Sequence, residues 1–268
     1  MKPDGVTRVA HLRLGGDSAG ERQGAVVVEE PLEIRLDSRP IAVVMRTPGN
    51  DIELALGFLV TEGIVSDPGA ILQVAHCDET RNVIEVRTDP GSESVHPPTE
   101  RNFFATSSCG VCGKASIDAL RVKTPGLGHN PLAVDATQLR ALPGALRDAQ
   151  GLFDETGSLH GVGLFEADGA LRCAREDVGR HNAVDKVVGW AAAREDLPLA
   201  NQILMVSGRV GFEIVQKAWV AGIPIVCAIS GPSSLAVELA QEAEMTLIAF
   251  LRGDEMNVYT EPRRILGP

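Results

Sequence analysis

The last third of the chain alternates short apolar runs with helical segments. Residues 203–206 (ILMV) read as a strand, and a glycine loop then leads to a helix ending near Gly222. Residues 223–229 (IPIVCAI) make a second strand, a Gly-Pro-Ser-Ser loop opens a helix to about Glu244, and 246–251 (TLIAFL) make a third strand. Strands separated by helices of about ten to twelve residues pair in parallel through crossover connections, so this pattern confines the region to βαβ units of an α/β fold.

In an open parallel sheet, the loops leaving the carboxyl ends of the strands line one crevice, and ligands bind there. Here they read Ser207-Gly208-Arg209, Ser230-Gly231-Pro232-Ser233-Ser234 and Arg252-Gly253-Asp254-Glu255. Two of them run into helix N-termini, where free N–H groups and the helix dipole favour anions. Two carry an arginine suited to phosphate, and glycine allows close backbone approach. The set points to a phosphate-bearing small molecule. The alternative is three ordinary turns with serine caps, and neither a Walker motif nor G-x-G-x-x-G is present.

The first half reads as strands plus one helix. Residues 25–28 are an apolar run, 32–36 alternate with period two, and 41–45 follow across Asp37-Ser38 as a hairpin. Asn50 is placed to cap a helix, with Glu53 in the capping-box position and Gly63 closing it. Residues 71–76 and 83–87 form another hairpin. Roughly the first 20 residues are polar and precede any strong pattern. Further on, Asp135 with Gln138 opens a helix that Pro143-Gly144 kinks or ends, 159–165 and 170–174 form a hairpin, and Asn182 caps a helix to about Ala193. The expected division is an N-terminal smaller α+β domain over 22–105, a cysteine-bearing linker over 106–130, and a second α/β domain over 131–265 with a central sheet flanked by helices.

Of five cysteines, Cys109 and Cys112 sit in Cys-Gly-Val-Cys-Gly, inside a polar, glycine-rich stretch. An odd count, wide scatter and no apolar leader argue against a disulfide framework and for a reducing, cytoplasmic setting. Two thiols at this spacing can share a metal, cycle as a disulfide or carry sulfur. A structural zinc site needs four ligands, and no second cysteine pair or close histidine pair exists. A thioredoxin-like reading needs a βαβ context. A thiolate attacking an activated sulfur gives a persulfide that can be delivered elsewhere, and Lys114 favours the thiolate. Cys227 in IPIVCAI reads as a small buried hydrophobe. A further cluster, residues 175–182, packs charges, an imidazole and an amide before a helix. Arg180 and His181 are its candidate donors to an anion, against the alternative of a solvated, well-capped helix start. His129 and His160 read as structural. The net charge of −11 argues against a general nucleic-acid binder, and no apolar run approaches the length of a membrane span.

Taken together, TPGNDIELALGFLVTEGI, SSCGVCG, REDVGRHNAVDKVVG, VSGRVGFEIVQKAWVAGIP, ISGPSSLAVELA and FLRGDEMNVYT resemble, in this order, the formate dehydrogenase accessory sulfurtransferase family (FdhD). The resemblance implies a homodimer that takes sulfur from a cysteine desulfurase as a persulfide. It passes the sulfur to a bis(molybdopterin guanine dinucleotide) molybdenum cofactor before that cofactor enters formate dehydrogenase. It makes Cys109 the persulfide-bearing residue and Cys112 its partner. It makes Phe250, Leu251, Arg252, Gly253, Asp254 and Glu255 part of the cofactor site, with a GDP-like nucleotide as a mimic. It also implies a cytidine-deaminase-like fold for the C-terminal part. Deamination itself fits poorly, because zinc deaminases use H-x-E and P-C-x-x-C at helix starts. The matching positions here are His181-Asn182-Ala183 and Ser207-Gly208-Arg209-Val210. Two other readings remain: a non-catalytic chaperone that binds and protects the cofactor, and a small redox or zinc module.

Overall fold

The computed structural model describes residues 5–15, 19–77, 79–96, 127 and 130–267. Strands β1 (Val6–Arg13) and β2 (Gly20–Val27) form an antiparallel hairpin. The first twenty residues therefore contribute a full strand. Its residues are mostly exposed, which is why no apolar pattern marks it.

Strands β3 (Glu30–Leu36) and β4 (Arg39–Arg46) follow, then helix α1 (Asp51–Thr61), β5 (Ile71–His76) and β6 (Val83–Thr88). The four strands form a sheet in the order β4-β3-β6-β5. Asp37 and Ser38 join β3 to β4 with φ of 48° and 66°, the left-handed pair that matches the twist of a two-residue hairpin. One face of the sheet, including Leu32, Ile34, Val44, Ile84 and Val86, buries against Leu54, Phe58 and Leu59 of α1. Asn50 does precede α1, but it is left-handed (φ 57°) and its side chain caps nothing. Glu53 is drawn away from the capping box by Arg175, which it meets at 2.5 Å and 2.8 Å.

The rest of the chain runs β7 (Val134–Asp135), α2 (Ala136–Asp148), α3 (Gly151–Thr156), β8 (His160–Glu166), β9 (Leu171–Asp177), α4 (Arg180–Ala192), β10 (Gln202–Val206), α5 (Phe212–Val220), β11 (Ile225–Ala228), α6 (Ser234–Glu242), β12 (Thr246–Arg252), β13 (Glu255–Thr260) and β14 (Ile265–Leu266). Six of these strands form one sheet in the order β13-β12-β11-β10-β8-β9. Strands β10, β11 and β12 are parallel, as the alternation predicts; β8 and β13 flank them running the opposite way, and β9 pairs antiparallel with β8 at the outer edge. Leu204, Val206, Val226, Ala228, Leu247 and Ala249 face a core shared with α4, α5 and α6. Their neighbours Ile203, Met205, Ile225, Cys227 and Ile248 face Leu139, Leu142 and Leu146 of α2. Burial on both faces accounts for continuous apolar runs in place of alternation.

Two helix boundaries differ from the sequence expectation. Helix α2 opens with the expected Asp135–Gln138 capping box but continues through Pro143 to Asp148. Proline there forgoes one backbone hydrogen bond, and the buried Leu139, Leu142 and Leu146 stripe outweighs the loss. Helix α4 starts two residues before Asn182, with Gly179 as its cap. The Asn182 amide instead donates to Met45 O (2.7 Å) and Asp177 Oδ1 (2.9 Å), tying α4 to β4.

Helix α1 is sandwiched between its own sheet and α4. Thr47 strengthens the joint: its N–H donates to Asp177 Oδ2 (3.1 Å), and its hydroxyl accepts from Val178 N (3.1 Å). Of the expected 106–130 linker, only Leu127 and Asn130 belong to the described residues.

Candidate functional site

The parallel order β10-β11-β12 puts the ends of those three strands at one edge of the sheet. Val210 bridges to Pro232, Val210 N donates to Gly231 O (3.3 Å), and Ser233 N donates to Val210 O (2.9 Å). Phe250 N donates to Ser230 O (3.2 Å), and Arg252 Nε donates to Ile229 O (2.8 Å). Ser207, Gly208, Arg209, Ser230, Gly231, Phe250 and Arg252 therefore line one edge. Helices α5 and α6 rise from it, and the Ser233 hydroxyl caps α6 by accepting from Ala236 N (3.2 Å).

The antiparallel strands bring a fourth segment to this edge. Strand β8 runs against β10, so it begins where β10 ends; β9 runs against β8, so it ends there, with His160 paired to Asp177. Helix α4 starts three residues later. Arg180 and His181 thus join the loops after β10, β11 and β12, a juxtaposition that needs the β8–β9 and β8–β10 pairings together. Ser207 locks the corner, its hydroxyl accepting from Gly161 N (2.9 Å) and its N–H donating to Gly161 O (2.9 Å).

Within this corner His181 Nε2 lies 2.7 Å from Glu213 Oε2 in the first turn of α5. His181 is 8% exposed. Its Nε2 thus lies at ion-pair distance from Glu213, between the starts of α4 and α5, yet makes no hydrogen bond within the protein. His160, read from sequence as structural, is half-buried beside Gly208: a β-carbon on Gly208 would lie 3.2 Å from its Nδ1. Burial, then Arg180 and His181, push the His160 imidazole below its ordinary range. Period-two counting from Val162 and Leu164 places His160 on the α4 face, the one signal in the sequence that could have found it.

The segment 250–255 divides. Phe250 sits at a β-bulge with φ 52° and a 40% exposed ring. Leu251 is wholly buried in the core under α2, which makes it a packing residue. Gly253 (φ 54°) and Asp254 form the turn into β13, so Glu255 begins an antiparallel strand and not a helix. Cys109 and Cys112 lie outside the described residues.

Two clefts of about 380 and 390 Å³ lie beside the α1–α4 joint. The buried charges at their walls are paired within the protein: Arg46 with Asp51 at 3.0 Å, Lys186 with Asp177 at 2.8 Å, and Arg175 with Glu53. That pairing marks them as gaps in a polar joint. Cys173 and Cys227 are buried, and burial raises both thiols, Cys173 to about 11. Among the described residues, no group of three His, Cys, Asp or Glu side chains is placed to hold a metal, and no helix is long and apolar enough to cross a membrane.

Comparison with known proteins places this geometry among relatives. A model described as the FdhD/NarQ family matches residues 27–266. The sulfur carrier protein FdhD of Mycobacterium tuberculosis is 49% identical over 269 residues, covering 96% of this chain and 97% of that protein. The sulfur carrier protein FdhD of Sulfolobus acidocaldarius is 44% identical over 241 residues, covering 90% of each. A solved structure from Desulfotalea psychrophila, assigned as a formate dehydrogenase accessory protein, is 26% identical with a TM-score of 0.79, covering 98% of this chain and 100% of that one.

Proposed function

The chain belongs to the FdhD/NarQ family, and on that footing we propose that it is a sulfurtransferase serving formate dehydrogenase. Cys109 accepts sulfur from a cysteine desulfurase as a persulfide, with Cys112 as its partner thiol. The Cys109 thiolate attacks the outer sulfur of the desulfurase persulfide. A new S–S bond forms on Cys109, the old S–S bond breaks, and the desulfurase cysteine leaves as a thiolate. The sulfur then passes to a bis(molybdopterin guanine dinucleotide) molybdenum cofactor, which is the substrate. In this reading the protein is a cytoplasmic homodimer.

The observation that carries the cofactor half is the convergence of four segments at one sheet edge. Ser207–Arg209, Ser230–Ser233, Phe250–Arg252 and the start of α4 meet there, with Arg180, Arg209 and Arg252 among them. Helix starts and guanidinium groups at one crevice suit a large polyanion. The sulfur half is supported by the relatives, which are named as sulfur carrier proteins. The C-terminal sheet with α4, α5 and α6 on one face is read as cytidine-deaminase-like in its order, without the zinc chemistry.

Intact-protein mass spectrometry after incubation with a cysteine desulfurase and cysteine tests the reading. Wild type gains one or more sulfur atoms, and Cys109→Ala loses the gain. A wild type that gains no sulfur beside an active desulfurase would move the role to a chaperone that holds the cofactor.

A further inference from the structure

His160 opens β8 at the crevice edge, on the same side of the strand as Val162 and Leu164, which face α4 and α5. Its neighbours come from every element packed around it. Asp177 pairs with it across β9, the charges of Arg180 and His181 act on it from the start of α4 and that of Arg209 from the loop after β10, and Glu213 of α5 lies 2.7 Å from His181 Nε2. Asp177 is engaged elsewhere: its carboxylate meets Lys186 Nζ at 2.8 Å and accepts from Thr47 N, Gly179 N and the Asn182 amide. Arg180 and then His181 still act on the imidazole more strongly than Asp177, which favours its charged form, and Arg209 adds to them. Gly208 leaves the ring uncovered, since any side chain there would begin 3.2 Å from Nδ1.

We propose that His160 is a ligand-contacting residue of the crevice: with Arg180 and Arg209 it completes a seat for a phosphate group, and it takes up one proton when the phosphate binds. The proposal rests on the crevice reading above and extends it to a residue and a proton. In the ligand-free protein, burial and Arg180 hold the imidazole below its ordinary range, so it is neutral at neutral pH and adds no third cation to the cluster. A phosphate among these groups reverses that field and favours the imidazolium. The proton comes from solvent and no other bond changes. The imidazolium then donates a charge-assisted hydrogen bond to the phosphate. The contribution is complete below the ligand-free pKa and is lost as pH rises through the ligand-bound one.

Guanosine diphosphate (GDP) is the probe, titrated calorimetrically near neutral pH in two buffers of different ionisation enthalpy. Wild type takes up a proton on binding and binds more tightly as pH falls from about 8 to about 6. His160→Gln loses the uptake, shows a flatter pH profile, and binds about tenfold more weakly at the acidic end. His160→Lys recovers affinity without proton uptake. The nucleotide's own ionisation contributes to all three proteins alike, so the differences belong to residue 160. A wild type that binds GDP with no uptake beyond the nucleotide's own would overturn the proposal without any variant, as would His160→Gln with wild-type affinity and uptake. A wild type that does not bind GDP would overturn the crevice reading itself, which is a separate result.

Discussion

Gly57 of α1 passes so close to Asp185 of α4 that a β-carbon on Gly57 would lie 1.8 Å from the Asp185 carbonyl oxygen. The contact is reciprocated, because a β-carbon on Gly189 would lie 1.7 Å from Glu53 O. Neither obstacle is a flexible side chain, so only separation of the helices can make room. Gly57→Ala is expected to destabilise the protein by about 3 kcal/mol. Gly144→Ala is the control, since Gly144 lies inside α2 with nothing within 4 Å of its missing β-carbon. Helix propensity predicts a gain there of about 1 kcal/mol. Urea unfolding of both variants checks the pair, and equal midpoints would mean that the two helices separate at little cost.

The same joint holds a buried ion pair. Lys217 Nζ of α5 donates to Asp185 Oδ1 and Oδ2 at 2.9 and 3.0 Å, with further bonds to Thr61 Oγ1 (2.9 Å) and Glu62 Oε1 (3.0 Å). Burial alone would lower the ammonium pKa; Asp185 and Glu62 outweigh it, so Lys217 is held above its ordinary value. Its contribution to stability is thus fully present below 10.5 for as long as Asp185 is ionised; it is lost as pH rises through the Lys217 folded-state value and, at the acid end, as Asp185, which burial raises, takes up its proton. Lys217→Met strands the Asp185 carboxylate and is expected to cost about 3–5 kcal/mol, whereas Lys217→Met,Asp185→Leu recovers much of it. Denaturant unfolding of the four members of that cycle measures the coupling. A single variant costing under about 1 kcal/mol would place the pair among solvated surface bridges.

What could be read from the chain before its structure follows the range of the interactions. Local signals succeeded: the Asp37-Ser38 turn, the Asp135–Gln138 box and the three parallel strands stand where the residues put them. The failures are residues captured by distant partners. Asn182 looks like a cap but bonds Met45, Glu53 looks like half a box but pairs with Arg175, and His160 looks isolated until β8 aligns with β10. Pro143 reads as a stop only if the stripe beneath α2 is left out. The crevice loops were legible because parallel order alone brings them together. The approach of α4 was not, because it needs two antiparallel pairings as well.

Thiol accessibility separates the cysteines. In Cys109→Ser,Cys112→Ser three thiols remain: Cys77 is exposed, while Cys173 and Cys227 are buried. A chromogenic disulfide reagent is expected to titrate one thiol in the native variant and three in denaturant. Two fast-reacting thiols in the native state would contradict the described core.

Alkaline pH supplies a test of Cys173, whose share is separated by substitution from that of Cys227, which burial also raises. Burial raises its thiol from 9.0 to about 11. Across that window the unfolded chain loses the proton and the folded one keeps it, so the native state binds more protons and stability falls as pH rises. Below 9.0 Cys173 contributes no pH dependence. Cys173→Ala is expected to flatten the decline between these limits, read from urea midpoints at successive pH values. An unchanged slope would assign the decline to other groups.

Phe250 combines an uncommon backbone with an exposed ring. Its φ of 52° is left-handed, a conformation that costs a non-glycine residue about 1–3 kcal/mol. The bulge in β12 turns the ring toward Gly231, where a β-carbon would lie 2.7 Å from Phe250 Cζ, and the Arg252 guanidinium carbon stands 5.9 Å from the ring centre. A strained, 40% exposed aromatic beside a glycine is poorly explained by core packing, because the strain is not repaid by burial. A flat ring at the edge of the proposed crevice is explained if a base stacks on it, which contributes about 1–3 kcal/mol per base. Phe250→Gly should then keep or raise stability, since glycine adopts this φ freely, and weaken GDP binding about tenfold. Gly231→Ala should weaken binding by displacing the ring while Phe250 stays in place. Both are measured by GDP titration beside thermal melting. Wild-type affinity in Phe250→Gly would leave the ring without a ligand role and make the left-handed residue a feature of the bulge alone.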